Sequence, residues 1–243
     1  MLRHAEHAMG TVFSFAVRDA APADLTPAIA ELHRLDALFS TYRPQSELSR
    51  LARGELTLPQ CDPLVAEALD HCASVATATD GWFTAYPGGR LDPSGWVKGW
   101  AVERASRLLR EAGLTHHSIT GGGDVQTAGG PWRIGIADPA RPGALACVVT
   151  GSDFAVATSG TAERGPHILD PHTGRPATGL LSLTLIGRHL ARTDAYATAA
   201  FAMGPARALP WAEAQPHLEA LAILPDGRRL GTRGFPGWLA PAG

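Results

Sequence analysis

The chain is 243 residues long, with 45% hydrophobic and 18% charged side chains and a formal net charge of −2. That much apolar side chain with so little net charge excludes a disordered chain, and the near-neutral balance argues against a nucleic-acid binder, which carries a basic face. No apolar run approaches the roughly 18 residues of a spanning helix, so membrane insertion is not expected.

In chain order, residues 12–17 put Phe13, Phe15 and Val17 on one face and read as a strand at a sheet edge. Thr26 and Pro27 read as an N-cap followed by proline at the first helical position. Ile29, Leu32, Leu35, Leu38 and Phe39 then give the apolar face of a helix. Ser46 caps a short helix carrying Leu48 and Leu51, stopped by Gly54. Asp62 and Pro63 open a second long helix with Val65, Leu69, Cys72 and Val75 inward, ending before Gly81. Ser94 or Gly95 starts a third, with Val97, Ala101, Leu108 and Ala112 inward and Gly113 as its stop.

Beyond Gly113 the pattern changes to strands at 118–120, 125–127, 132–137, 146–150, 154–158 and 182–187. A helix is expected from about 193 to 203 and another over 211–217. Residues 221–224 and 228–231 close the sheet as a hairpin across Asp226 and Gly227. Helices gather in the first half and strands in the second, which indicates an α+β fold.

Cys61, Cys72 and Cys147 are odd in number and far apart, so neither a disulfide framework nor a zinc knuckle is expected. The start Met1-Leu2-Arg3-His4 offers no apolar signal core. Both features suggest a reducing, cytoplasmic location. The sequence has no Asn and one lysine, Lys98. A coding bias toward Arg explains most of this. A surviving Lys then marks a place where a compact ammonium differs from a planar guanidinium, as in close phosphate contact.

Four segments could carry chemistry. Asp194 and Thr198 lie four apart on a predicted helix, so their oxygens stack one turn apart. Carboxylate and hydroxyl are hard donors suited to Mg²⁺; the bland alternative is an Asp favouring the helix dipole and a Thr bonding back to the preceding turn. The second segment runs from Asp92 through Gly95 to Lys98, a small-residue turn opening a helix with a Lys near its start. It can hold an anion on backbone N–H groups and the ammonium, or Lys98 can reach solvent or pair with Asp92. The third, Thr120-Gly121-Gly122-Gly123-Asp124, lets backbone approach a ligand closely, or simply makes a tight turn.

The fourth joins Thr158-Ser159-Gly160-Thr161 to a strand-borne His167-Ile168-Leu169-Asp170-Pro171, read as a phosphate and general-base region. Its alternative is a β-turn with Asp170 as an Asx cap and His167 merely buried. His172 reads as a turn residue. His116 and His117 are adjacent, point to opposite faces of a strand, and cannot share one metal.

Together with Met9-Gly10-Thr11 and the run from Phe39 to Pro44 followed by Ser46-Glu47-Leu48-Ser49, these segments occur in the order that resembles the ApbE-type FAD:protein FMN transferases, over about residues 9–204. The resemblance implies a single α+β domain over residues 1–243, with a mixed or antiparallel sheet core and flanking helices, related to the T-fold. It implies Mg²⁺-dependent transfer of FMN from FAD to a Thr or Ser hydroxyl of an acceptor flavoprotein, with release of AMP. Some members instead hydrolyse FAD to FMN and AMP, and a non-catalytic flavin-binding protein is a further alternative.

By motif match, Asp194 and Thr198 are the side-chain metal ligands, with a backbone carbonyl near Gly95 as a third. Asp92 and Lys98 fall at flavin-nucleotide positions. Met9, Tyr42 and Leu169 line the FAD cleft, as do Trp82, Phe83 and Thr84, and His167 is the base for the attacking hydroxyl. The chain departs from the family pattern between Gly81 and Pro87, which is short and has Thr84 where an acidic residue stands. Thr120 replaces an Asn, and Ala162 a Tyr.

Overall fold

The structure is a computed structural model and describes residues 1–18, 24–162 and 165–241. Its strands are β1 (Leu2–Ala8), β2 (Thr11–Val17), β3 (His117–Gly121), β4 (Asp124–Ala128), β5 (Trp132–Ala137), β6 (Leu145–Gly151), β7 (Ala155–Gly160), β8 (Ser182–Gly187), β9 (Glu219–Ile223) and β10 (Arg229–Gly231). Its helices are α1 (Thr26–Phe39), α2 (Glu47–Ala52), α3 (Pro63–Ala78), α4 (Ser94–Glu111), α5 (Leu190–Met203) and α6 (Pro205–Ala214). Eight strands form one sheet in the order β1-β2-β3-β4-β7-β8-β9-β10, and β5 and β6 form a separate hairpin. Every pairing in the large sheet is antiparallel.

Alternation decides which residues meet the helices. Directly opposed residues share a face, so Phe15, Ile119 and Gln126 look the same way, as do Ala157 with Leu185 and Ser159 with Leu183. On that face Phe13, Phe15, Ile119, Leu183 and Leu185 join one core with Leu32, Val97, Ala101 and Phe201 from the helices. His117 is buried there too, its Nε2 within 2.7 Å of Ser106 Oγ on α4. The other face is covered in part by the β5–β6 hairpin, where Trp132, Ile136 and Val149 pack with Val156, Ile186 and Leu221.

Local signals explain several helix ends. Ser46 Oγ accepts from the Ser49 amide at 3.0 Å, and Asp62 Oδ1 from Leu64 at 3.0 Å. Gly113 ends α4's turn at φ +82°, where only glycine is relaxed. Thr26 is not an N-cap: it is already helical, and its amide donates to Asp24 Oδ1 at 2.9 Å. Residues 12–17 are not an edge either. The preceding β1 takes the edge, unread because Leu-Arg-His-Ala-Glu-His-Ala offers little apolar alternation, as suits an edge strand. The helix expected at 211–217 lies earlier, opened by Pro205 and carrying Pro210 inside.

One contact sets the spacing of the two helices that flank the site. A Cβ at Gly99 on α4 would stand 2.8 Å from the Leu190 carbonyl oxygen and 3.0 Å from Asp194 Cβ on α5. Backbone cannot swing aside as a side chain does, so Gly99→Ala must push the helices apart. Overpacking of this kind costs about 1–3 kcal/mol, a fall of roughly 2–12 °C in the thermal midpoint at this chain length. Calorimetry reads it directly; an unchanged midpoint would mean that the crossing has slack.

Candidate functional site

The α4–α5 crossing places Lys98 and Asp194 side by side, each the fifth residue of its helix. Lys98 Nζ donates to Asp194 Oδ2 at 2.8 Å. It also donates to Asp124, the first residue of β4. Asp124 reaches this position because Gly122 and Gly123, at φ +56° and +89°, turn the chain sharply after β3. A Cβ at Gly122 would lie 3.2 Å from Lys98 Cδ, so the glycine lets backbone lie against the lysine stem. The Thr158 amide on β7 donates to the other Asp124 oxygen at 2.8 Å.

Both carboxylates are almost fully covered, with Asp124 3% and Asp194 5% exposed. Burial pushes the Asp194 carboxyl up to about 7, and the Asp124 charge adds to this, against the pull of Lys98 and the Gly99 amide. Burial also works against the Lys98 charge, but attraction to Asp124 and Asp194 outweighs it and raises the ammonium above its ordinary value. Two buried carboxylates thus face one ammonium, and with both ionised the cluster is one positive charge short.

The hydroxyl of Thr198, one turn along α5 from Asp194, lies 3.5 Å from Ser159 Oγ on β7. A Cβ at Gly95 would stand 3.8 Å from Thr198 Oγ1 and 3.1 Å from Phe83, which is buried. Gly95, Phe83, Ser159 and Thr198 therefore converge beside the charged cluster. Among the described residues no three His, Cys, Asp or Glu side chains gather at one metal position. A cation here would rest on mixed oxygen donors: carboxylate, hydroxyl and backbone carbonyl. That set and the missing positive charge both suit Mg²⁺.

The other candidates divide. Asp92 Oδ1 accepts from the Ser94 amide at 3.0 Å, so it caps the first turn of α4 and does not pair with Lys98. Thr84 Oγ1 accepts from the Tyr86 amide at 3.0 Å and closes a turn. Met9 is half-buried in the β1–β2 turn at φ +51°. Tyr42, between α1 and α2, is 89% exposed and touches none of the cluster. Trp82 meets the edge of His172 at 4.5 Å between ring centroids, with the Arg207 guanidinium 5.5 Å above it.

The expected strand around His167 is not present. His167 is exposed in irregular chain just after a bend at Pro166, its Nδ1 2.9 Å from the Gly165 carbonyl, and Leu169 makes only an isolated bridge to Pro176. Asp170 Oδ1 accepts from the His172 amide at 2.8 Å, so this segment is the Asx-type turn of the alternative reading. A cavity of about 760 Å³ opens beside it, walled by Trp82, His172, Arg175, Met203 and Arg207 among others. It brings in Trp82 but not Met9 or Tyr42. The two residues that sequence reasoning left out of the site are Asp124 and Ser159. Their signals were present in the Gly-Gly-Asp run, read for its glycine backbone rather than its carboxylate, and in the Thr-Ser-Gly-Thr run, read for phosphate rather than for a hydroxyl beside Thr198.

The model of the ApbE family matches residues 9–89 and 84–222. The chain belongs to the ApbE family. The two matched stretches overlap at 84–89. Two ApbE structures show the same fold over 98% of this chain and 99% of theirs: the flavin transferase of Vibrio cholerae, 23% identical with a TM-score of 0.84, and the Thermotoga maritima protein, 21% identical with a TM-score of 0.85. An FAD:protein FMN transferase of Rhodobacter capsulatus is 35% identical over 125 residues, 46% of this chain and 24% of that relative. The matched segments span between 24% and 48% of the curated ApbE-family relatives' own length. No helix among the described residues is long and apolar enough to cross a membrane.

Proposed function

We propose that the chain is an enzyme that transfers FMN from FAD to a Thr or Ser hydroxyl of an acceptor flavoprotein, releasing AMP, and that it works as one domain over residues 1–243. The observation that carries this is the buried Lys98–Asp124–Asp194 cluster with Thr198 and Gly95 beside it. Mg²⁺, held by Asp194, Thr198 and a backbone carbonyl near Gly95, would supply charge against the roughly two negative charges of a pyrophosphate.

The chain's own residues do the rest. Lys98 presents a fixed ammonium to the pyrophosphate. Asp92 holds the first turn of α4, and so fixes where Gly95 stands. Of the residues assigned to the flavin-nucleotide cleft, Trp82 walls the 760 Å³ cavity, which offers room for part of the ligand, while Met9, Tyr42, Phe83, Thr84 and Leu169 lie outside its lining. His167 takes the proton of the acceptor hydroxyl as its oxygen bonds to the FMN phosphorus and the bond to AMP breaks. The acceptor shows its hydroxyl at the His167 side, which is open. Three free cysteines, two of them buried, support a reducing cytoplasmic setting.

The same openness favours a second reading. Water reaches an exposed His167 as readily as a protein hydroxyl, which would make the chain an FAD pyrophosphatase. Incubation with FAD and Mg²⁺, with and without EDTA, tests both by chromatography of AMP. EDTA-sensitive AMP that appears only with a threonine-bearing acceptor domain supports transfer. AMP and FMN without any acceptor support hydrolysis, and absence of AMP in every mixture removes both. His167→Ala is expected to slow AMP release by about 10²–10⁴ while FAD still binds; an unchanged rate would take the base assignment from this residue.

A further inference from the structure

The two carboxylates around Lys98 are not equivalent. Asp194 stands on a helix with a second hard oxygen, Thr198, one turn away and Ser159 beyond it. Asp124 stands on a strand, with one oxygen held by the Thr158 amide and the other by Lys98. Asp124 is therefore fixed by the sheet, and both of its oxygens are engaged within the chain. A lysine ammonium has three hydrogens; two go to these carboxylates, and the third has no hydrogen-bond partner among the described residues.

We propose that Lys98 keeps the metal's place on Asp194, and that Asp124 is the positioning residue that retains the ammonium when Mg²⁺ takes Asp194. This rests on the metal site proposed above. On metal binding the Lys98–Asp194 pair opens, the Lys98–Asp124 pair persists, and the released hydrogen turns to the pyrophosphate. The sheet anchor makes the exchange local: one ion pair is traded and neither carboxylate is left bare. The cluster moves from one net negative charge to one net positive charge, which suits an anionic substrate. Without Asp124, Mg²⁺ would have to strip Lys98 of its last partner.

The test uses Mg²⁺ alone, without FAD. Binding is measured by calorimetry for wild type, Asp124→Asn, Lys98→Met and the double variant. A uniform charge effect predicts that Lys98→Met tightens Mg²⁺ by the same factor in both backgrounds. The exchange predicts a far larger gain in the Asp124→Asn background, a coupling of at least tenfold. Lys98 is the only lysine in the chain, so selective lysine labelling gives one NMR signal.

In wild type that signal should shift on Mg²⁺ saturation yet stay that of an ordered ammonium; in Asp124→Asn it should become mobile. An additive cycle, or a Lys98 signal unmoved when wild type is saturated, overturns the exchange while leaving the metal reading standing. Wild type that binds no Mg²⁺ overturns both. Should Lys98→Met fold too weakly for calorimetry, the wild-type and Asp124→Asn signals decide.

Discussion

Asp194→Ala is expected to lower Mg²⁺-dependent AMP release by about a thousandfold or more, while the metal-free protein melts within a few degrees of wild type. The two halves of this expectation come from the same geometry. Asp194 is buried and has the Thr198 hydroxyl one turn along its helix, so its loss removes the only carboxylate proposed to hold the metal. The fold should nevertheless tolerate the loss. Asp194 is buried at a cost that pushes its carboxyl up to about 7, and two carboxylates already exceed one ammonium. With Asp194 gone, Lys98 keeps Asp124, and the remaining pair is neutral. AMP chromatography and a thermal scan without metal check the two halves separately. Full turnover in Asp194→Ala would end the metal assignment; a collapse of stability with it would mean that Asp194 anchors the fold instead.

Much of this arrangement was legible in the sequence, and the reasons differ by element. The helices α2 and α3 announce themselves because side chains mark their starts: Ser46 and Asp62 accept the amides that their chemistry suits; α4 was legible from the small-residue turn at Ser94 and Gly95, while the Asp92 bond to the Ser94 amide was not foreseen. The strand β1 was hidden because an edge strand needs no apolar alternation, and Leu2–Ala8 is half polar. For α6, a proline inside the helix at 210 masked a start that Pro205 in fact supplies.

The site divides in the same way. Asp194 and Thr198 could be paired because helical spacing is a local rule. The partnership of Lys98 with Asp124 and Asp194 joins residues 26 and 96 positions apart, and no local pattern reports it. Asp92 was the near neighbour and the natural partner by sequence, but its carboxylate is spent on the Ser94 amide. His167 shows the converse error. The run His-Ile-Leu-Asp reads as a strand from its apolar centre, yet Asp170 turns the chain by accepting from the His172 amide, and the histidine is left in solvent.

Lys98→Met is expected to be the most damaging single change in the cluster, and to be partly repaired by Mg²⁺. Methionine fills much the same length without the charge, so the stem's packing against Gly122 is kept and the electrostatics alone are tested. What remains is Asp124 and Asp194, both about 95% covered, with no cation between them. Removing one partner of a buried ion pair costs about 3–5 kcal/mol, roughly 6–20 °C at this chain length. If Mg²⁺ binds the folded chain as proposed, it would take the vacated charge, so adding it should raise the melting point of the variant more than that of wild type. Turnover should stay low even then, because the ammonium that faces the pyrophosphate is gone. Lys98→Arg separates charge from shape: it keeps the positive charge and most of the stability, but its longer, planar head aims its donors differently from a compact ammonium at the pyrophosphate. Its FAD turnover should fall at least tenfold. A Lys98→Met protein as stable as wild type would show that the two carboxylates are not both charged beside it, and a fully active Lys98→Arg would return this lone lysine to chance.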